Sequence, residues 1–402
     1  MTSPVLNVRT ERLDYDGDLL DWAEAQSPLA FVRLGEGLVG YGERLRLVFG
    51  GAGAIAALAA RWRELCESAA VTDPLGLAGT GLVAFGSFGF SGTAQSILVV
   101  PSVVVGRRDG MTWITRIDAG TAAAPNGPVG DATTELVPGA MMPRRFESAV
   151  TAARDRIRSG DLSKVVLARD LVGQIDPTAD RRAPLVRLAA AYPDTYTFAV
   201  SGLIGSSPET LVRVAGGDVS ARVLAGTARR WPDAAADLNA ASTLANSTKD
   251  RGEHDLAVAN VLHSLAPMAT NIAASEPYAL RLPNLWHLAT DVSGQLVEGR
   301  TALDLVDALH PTAAVAGTPT DAAVELIAAL EPFDRGRYAG PVGWVDANGD
   351  GEWAIALRCA YVTDEGRVTA FAGAGIVADS DPATELAETG LKFLPIVDAF
   401  AG

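Results

Sequence analysis

Lysine is scarce in this sequence: of its 33 lysine and arginine residues, only Lys164, Lys249 and Lys392 are lysines. Arginine can replace lysine in most surface roles, but its guanidinium stays protonated, whereas a buried lysine can lose its proton and act as a base. The positions that keep lysine are therefore candidates for chemistry that arginine cannot perform. The alternative interpretation is that the three lysines remain at arbitrary positions by chance.

Positive charge is also in short supply, because the 402-residue chain carries a formal net charge of -15. This excess of acidic residues argues against nucleic acid or an anionic membrane as the main partner. If the substrate is itself acidic, its binding site needs local cations or a metal ion. A hydrophobic content of 48% is enough for a large core.

Cysteines and long apolar runs are few. Cys66 and Cys359 cannot form a disulfide framework and fit a reducing compartment. The N-terminus lacks a basic segment followed by an apolar run, so we expect no signal peptide. Apolar stretches such as Gly51–Leu58 and Ser96–Val105 are far shorter than the roughly 20 residues of a membrane-spanning helix. The sequence therefore predicts a soluble, cytoplasmic protein with no membrane partner.

The region Asp118–Pro143 is rich in Gly, Ala, Pro and Thr, and this composition predicts a connector. It separates residues 1–140, which we expect to form the N-terminal half of an α/β scaffold, from a core over residues 146–402. The two parts are expected to interlace as one large domain.

Apolar periodicity and turn residues predict the secondary structure. Helices are expected near Gly17–Gln26, Gly53–Ser68, Phe146–Ser159, Asp250–Leu265, Ala302–Leu309 and Ala322–Leu330, and from Asp381-Pro382 onward. Strands are expected near Leu38–Phe49, Gly81–Phe85, Ser96–Val105, Thr112–Ile117, Lys164–Leu171, Thr197–Ser201, Thr210–Val214, Asp218–Leu224, Tyr278–Leu282, His287–Val297, Gly340–Asp346, Glu352–Tyr361 and Arg367–Ala372. Strands cluster, many in antiparallel order, and helices interrupt them irregularly, which indicates an α+β fold.

Two residues are candidates for acid–base chemistry. Lys164 stands at the start of an apolar strand, where partial desolvation would lower its pKa. Glu209 follows a Ser-Ser-Pro turn, and burial there would raise its pKa and let it act as an acid. A solvated lysine at a strand edge and a solvated glutamate in a turn are the alternative interpretations.

Two pairs of acidic residues have the i, i+3 spacing that places both members on one helix face: Asp250 with Glu253, and Glu385 with Glu388. Carboxylates converging from two helices could bind Mg²⁺, which keeps several waters and takes one or two carboxylates plus a substrate oxygen. Such pairs also occur on solvent-exposed helix faces that bind no metal. Lys392 could be no more than the ion-pair partner of Glu388 on the same helix.

Read in order, the motifs resemble the chorismate-utilising enzymes over about residues 146–402. The matching blocks are S-K-V-V-L-A-R, S-P-E-T-L, L-A-G-T, K-D-R-x-E-H, L-W-H-L-x-T, H-P-T-x-A-V-A-G-T-P, Y-A-G-P-V-G-W, A-L-R-C-A and A-G-A-G-I-V-x-x-S-x-P-x-x-E-L-x-E-T. The resemblance implies the chorismate-binding fold, with large, mostly antiparallel sheets in layers and helices packed outside.

The resemblance also implies roles for individual residues. Lys164 matches the general base that activates water to attack C2 of chorismate, and Glu209 the general acid that protonates the departing C4 hydroxyl. Glu253 and Glu388 match ligands of Mg²⁺, with Asp250 and Glu385 in the same shell.

The remaining matched positions would surround the substrate. Tyr338 and Arg358 match residues that bind the pyruvyl carboxylate. The resemblance implies a pocket also formed by Gly226, Thr227, His287, Ala314, Gly375 and Lys392. A histidine packed within a strand is an equally good interpretation of His287.

A few residues select a branch of the family. Lys164 favours water over ammonia as the nucleophile, so no amidotransferase subunit is expected, and the chain is expected to act as a monomer. Ala225 excludes a covalent-lysine route. Ala314 stands where salicylate synthases tend to carry Thr, so an isochorismate synthase feeding menaquinone or siderophore synthesis is expected, with a salicylate synthase as the alternative. A divalent-metal hydrolase and a non-catalytic chorismate binder remain as rival hypotheses.

Overall fold

The computed structural model describes residues 5–118, 124–281 and 285–402. Within these ranges the side chains of five residues are not described, namely Thr227, Arg229, Lys249, Glu253 and Leu285. The expectations placed on the side chains of Thr227 and Glu253 therefore lie outside the described residues. Across the described part of the chain, no helix is both long and apolar enough to cross a membrane.

The described residues form helices that are distributed along the whole chain. They are α1 (Ala54–Ser68), α2 (Pro143–Arg158), α3 (Arg182–Ala191), α4 (Ala234–Asn246), α5 (Thr248–Leu265), α6 (Ala302–Leu309), α7 (Thr320–Leu330) and α8 (Pro382–Ala401). α8 begins as expected, with the Asp381 side chain accepting a hydrogen bond from Thr384 N and Pro382 in the first turn.

The strands alternate irregularly with these helices. They are β1 (Asn7–Arg12), β2 (Leu29–Arg33), β3 (Glu36–Tyr41), β4 (Leu45–Gly50), β5 (Ala70–Thr72), β6 (Val83–Ser87), β7 (Gln95–Val100), β8 (Val103–Arg108), β9 (Met111–Ile117), β10 (Val137–Pro138), β11 (Lys164–Gln174), β12 (Tyr196–Val200), β13 (Leu203–Ser207), β14 (Thr210–Ala215), β15 (Asp218–Arg229), β16 (Ala269–Ala274), β17 (Tyr278–Arg281), β18 (Leu285–Leu296), β19 (Gly317–Thr318), β20 (Pro341–Asp346), β21 (Gly351–Ile355), β22 (Cys359–Val362) and β23 (Arg367–Ile376).

The described strands form two large sheets. The first has the order β10-β11-β23-β22-β13-β12-β2-β3-β8-β9-β1-β5, with β19 also paired to β11. The second has the order β16-β18-β15-β14-β21-β20-β6-β7-β4, with β17 also paired to β18. β1 and β5 pair in parallel, whereas long pairs such as β11 with β23 and β15 with β18 are antiparallel. The expected α+β fold with large, mostly antiparallel sheets is therefore confirmed.

The main hydrophobic core lies between the two sheets. It combines side chains of the first sheet, such as Phe31 and Trp113, with side chains of the second, such as Phe85 and Trp344. A second core forms where α3 and α8 pack on the first sheet, with Phe393 of α8 buried in it. Strands from residues 1–140 and from residues 146–402 contribute to both sheets, and the division into domains stays a prediction.

Several predicted elements were wrong in extent. Residues 17–26 form only a short 3₁₀ turn, Leu19–Trp22, because the Ala23 backbone is extended and ends it. Three predicted strands are each two strands, since a turn interrupts them at Gly42 (φ 65), at Pro101-Ser102 and at Arg358 (φ 47). The elements that were not predicted are α3, α4, β1, β2, β5, β13, β16 and β19. The connector contains the two-residue strand β10 in its described part, and the expected hairpin turn joins β20 to β21.

Candidate active site

Lys164 is half-buried at the first position of β11, between β19 and β23. In the register of this sheet Lys164 lies opposite Thr318 on β19, and Val166, two residues further along β11, lies opposite Gly375 on β23. A Cβ atom at Gly375 would lie 3.1 Å from Lys164 Cε and 3.8 Å from Nζ. The absence of a side chain at Gly375 therefore leaves the space that the lysine occupies.

Glu209 and Arg358 lie where the chain passes from one sheet to the other. Glu209 joins β13 of the first sheet to β14 of the second, and Arg358 lies between β21 of the second sheet and β22 of the first. The two crossings are hydrogen-bonded to each other, because Ile355 N donates to Glu209 O (3.1 Å) and Ser206 N donates to Arg358 O (3.1 Å). An acid and a guanidinium distant in sequence are thereby held side by side.

The Glu209 carboxyl is surrounded by protein atoms, although part of the residue's surface is accessible. Burial raises its pKa, and the positive charges of Lys164, Arg358 and Lys392 oppose this rise without cancelling it. These three cations are therefore close enough to Glu209 to act on its ionisation. A carboxyl with a raised pKa is suited to donating a proton.

Helix α8 contributes two carboxylates and a lysine to the same region. Glu385 is buried, and desolvation followed by the charge of Glu388 raises its pKa, while a hydrogen bond with Ser380 opposes the rise. Lys392 Nζ lies 2.6 Å from Glu388 Oε1 and donates to Gly373 O at 2.9 Å. Lys392 is thus the helical partner of Glu388 and also binds the backbone of β23. Burial lowers its pKa.

His287 and Gly226 form the wall contributed by the second sheet. His287 Nδ1 lies 3.2 Å from Gly226 O, so this nitrogen carries the proton and donates it to the carbonyl. Burial, together with the charges of Lys392 and Lys164, lowers the pKa of His287 to about 4, although the hydrogen bond with Gly226 opposes this shift. A neutral imidazole therefore faces the two lysines at physiological pH.

Gly226 also determines how closely helix α5 can approach strand β15. It has a φ of 78° at a bulge in β15, and a Cβ there would lie 3.2 Å from Asp250 Cβ. Asp250 is half-buried in the first turn of α5, where the Ser247 side chain caps the helix. The glycine thus allows the acidic end of α5 to lie against the strand that carries Gly226.

Tyr338 lies in the segment before β20, and Ala314 lies in the segment before β19. Tyr338 is buried, stacks on Phe371 with ring centroids 5.1 Å apart, and has the charge of Arg358 acting on its hydroxyl. Burial raises the pKa of this hydroxyl, so the phenol stays protonated. Ala314 is half-buried two residues before Ala316, whose carbonyl accepts a hydrogen bond from Val166 N.

The residues present allow a test of whether a magnesium ion fits. Among the residues with described side chains, no group of three or more His, Cys, Asp or Glu is close enough together to hold a metal, and Glu253 is outside that set. Glu385 and Glu388 provide two neighbouring carboxylates whose repulsion a cation would relieve. Because Mg²⁺ commonly takes one or two carboxylates plus waters and substrate oxygens, this pair fits the ion.

Sequence reasoning missed a buried ion pair beside the site, Glu331 with Arg335. The i, i+4 spacing of a carboxylate and a guanidinium was visible, but such pairs are usually solvated. Two surface cavities, of about 160 and about 370 Å³, lie elsewhere and are lined by none of the predicted site residues.

Comparison with known proteins identifies the family of this chain. Residues 121–401 match the family model described as chorismate binding enzyme. The chain is 38% identical to a provisionally assigned isochorismate synthase, MenF, of Mycobacterium tuberculosis, over 80% of this chain and 87% of that protein. It is 41% identical to the isochorismate synthase EntC of Escherichia coli, over 63% of this chain and 66% of that protein. A crystal structure of a provisionally assigned 2,3-dihydroxybenzoate-specific isochorismate synthase, DhbC, from Bacillus anthracis superposes with a TM-score of 0.76, at 32% identity, covering 95% of this chain and 98% of that one.

Proposed function

Because this chain belongs to the chorismate-binding enzymes, we propose that it is an isochorismate synthase, which converts chorismate to isochorismate. The observation that carries the proposal is the placement of Lys164, half-buried beside Gly375, close enough to Glu209 for its charge to oppose the burial that raises the pKa of that carboxyl. Adding water at one ring carbon and expelling hydroxyl from another requires a base and an acid in one water-poor site.

Lys164 and Glu209 divide the proton transfers between them. Lys164 in its neutral form takes a proton from the water that forms a bond to C2 of the ring. The ring double bonds shift, and the C4–O bond breaks as Glu209 donates its proton to the departing hydroxyl, which leaves as water. The lysine ends with one more proton and the glutamate with one fewer, so exchange with solvent resets both groups.

An acidic protein needs local positive charge and hydrogen-bond donors to bind a dicarboxylic substrate. These groups would come from Arg358, Tyr338 and Lys392. The guanidinium of Arg358 and the protonated hydroxyl of Tyr338 would bind the pyruvyl carboxylate, the guanidinium with its fork of N–H donors. Backbone groups of Gly226, Thr227 and Gly375 would line the pocket.

We further propose that Glu388 and Glu385, with Asp250 and Glu253 of α5, hold Mg²⁺. When bound, the ion would neutralise the ring carboxylate of the substrate and so offset the negative charge around the site. Lys392 would then share its ion-pair partner Glu388 with the metal.

The test is incubation of the purified chain with chorismate and Mg²⁺, with the products separated and identified. Isochorismate is the expected product, and no amidotransferase subunit or ammonia should be needed. Lys164→Ala and Glu209→Gln should each nearly abolish turnover while circular dichroism and the melting temperature stay close to wild type. Salicylate with pyruvate would replace the proposal by a salicylate synthase, and no consumption of chorismate would refute the enzyme assignment.

A further inference from the structure

Strand β11, which begins at Lys164, has one edge that the other described strands cover only in part. Along its length it pairs with β23, but on the other side β19 covers only Lys164 and Val165, and β10 covers only Leu171 and Val172. Between these two short pairings, Val166 N donates to Ala316 O and Asp170 O accepts from Gly139 N, whereas Val166 O and Ala168 N are bound by no backbone group of a described strand. Unpaired backbone groups in a buried strand are costly, so something else must bind them.

The ion pair of Glu331 and Arg335 supplies the missing partners. Glu331 Oε1 accepts a hydrogen bond from Ala168 N at 2.7 Å, and Arg335 Nη2 donates to Val166 O at 2.7 Å. The two side chains also bind each other through both carboxylate oxygens, with Nη2···Oε1 at 2.6 Å and Nε···Oε2 at 2.9 Å. The pair therefore takes the place of a neighbouring strand just after Lys164.

The same guanidinium reaches two further parts of the site. Arg335 Nη1 donates to Val315 O at 2.9 Å, which anchors the residue directly after Ala314. The guanidinium carbon also lies 4.4 Å from the ring centroid of Phe90 and 5.8 Å from that of Tyr338. One side chain thus contacts the strand of the base, the segment of Ala314 and the ring of Tyr338.

Stability alone does not account for this pair. Its side chains are only 2% and 1% exposed, and buried ion pairs are often no more stabilising than apolar residues of the same volume. What an apolar pair could not do is bind one donor and two acceptors of the backbone in fixed directions.

We propose that Glu331 and Arg335 are positioning residues. They hold Lys164, Ala314 and Tyr338 at fixed positions relative to one another. The inference rests on the proposed function for its catalytic consequence. Neither side chain is assigned a contact with substrate. Their effect is on where the amine of Lys164 and the hydroxyl of Tyr338 stand relative to the substrate.

Arg335→Lys is the sharpest test, because lysine keeps the charge but cannot form the fork. The chain offers a matched control in Arg182, which is also buried, binds Asp180 at 2.6 Å, and donates to Gly127 O and Pro128 O. Arg182→Lys therefore removes an equivalent network away from the site. Both variants are measured at a temperature at which circular dichroism shows them folded.

Arg335→Lys should lower kcat for chorismate by about 10- to 100-fold, with a smaller change in KM and an altered pH profile of kcat, since small misplacements of reacting groups are costly. Amide hydrogen exchange of Ala168 should accelerate in the same variant. Arg182→Lys should leave kcat within about two-fold and exchange in β11 unchanged, whatever its melting temperature.

A folded Arg335→Lys variant with wild-type kcat and pH profile would overturn the inference. If that variant does not fold, Glu331→Gln, which keeps an oxygen for Ala168 N, is judged by the same criteria. A wild-type chain that does not consume chorismate would refute the proposed function instead. Hydrogen exchange in β11 would then decide the positioning role, and unchanged exchange would overturn it.

Discussion

Replacing Gly375 by alanine should impair catalysis while sparing the fold. Gly375 has no positive φ, so its backbone accepts alanine. The new Cβ would lie 3.1 Å from Lys164 Cε, whereas carbon atoms pack at about 3.5–4.0 Å. The lysine end is flexible, so it would move away by about 0.5 Å. A misplacement of about 1 Å can cost about 100-fold in rate, so we expect kcat to fall about 10-fold, or about 1.4 kcal/mol.

The assay is steady-state conversion of chorismate, with kcat and KM determined separately and the melting temperature measured in parallel. Gly50→Ala is the matched control, because it also adds a methyl group to a strand glycine but has no heavy atom within 4 Å of the new Cβ. Its kcat and melting temperature should both stay close to wild type. In Gly375→Ala, kcat should fall while the melting temperature changes little.

Two results would refute this reasoning. If Gly375→Ala keeps kcat within about two-fold of wild type while Lys164→Ala is inactive, the position of the amine is not limiting. If the variant loses kcat and melting temperature together, the methyl group has disturbed the packing of β11 on β23 and not the lysine alone.

Three further predictions concern ionisable groups. Because burial raises the pKa of Glu209, kcat/KM should fall as pH rises through that pKa; a rate still increasing well into the alkaline range would contradict its role as acid. Glu388→Gln should weaken Mg²⁺ binding in calorimetry without substrate by about 10-fold or more, whereas Glu352→Gln, which removes a carboxylate paired with Arg213, should not. Burial raises the pKa of Asp346 to about 7 from 3.8, so its contribution to stability is fully present below about pH 4 and is lost as pH rises through 7. The advantage of wild type over Asp346→Asn in urea unfolding should therefore decrease from pH 4 to pH 8, and a constant difference would contradict the assignment.

Much of the local structure was predictable because it depends on neighbouring residues. The Asp381-Pro382 start of α8 is a capping signal that acts within one turn. The hairpin between β20 and β21 follows from its turn composition in the same way. The predictions failed where long-range contacts decided the outcome. The short turn at residues 19–22 ends at Ala23, whose backbone is extended. Helix α3 has no side-chain N-cap and packs in the second core, whereas the Asp233 N-cap of α4 is a local signal that the sequence prediction overlooked.

The i, i+3 acidic pairs show the limit of pattern reasoning at the site. Spacing alone placed Glu385 and Glu388 on one helix face, but it could not distinguish a solvated face from a buried one. The structure buries Glu385 and pairs Glu388 with Lys392. The other pair stays partly untested, because the side chain of Glu253 is not among those described.

The sequence by itself determined which residue types are available and where each lies in its local element. It places a rare lysine at the start of an apolar strand, a glycine near the end of another strand, and carboxylates on helices. These properties depend on residues close together in the chain. Only the tertiary structure decided that Gly375 leaves room for Lys164, that Glu209 and Arg358 meet at two sheet crossings, and that a buried ion pair completes β11. Those outcomes depend on strand register and on packing between sheets, which no local pattern encodes.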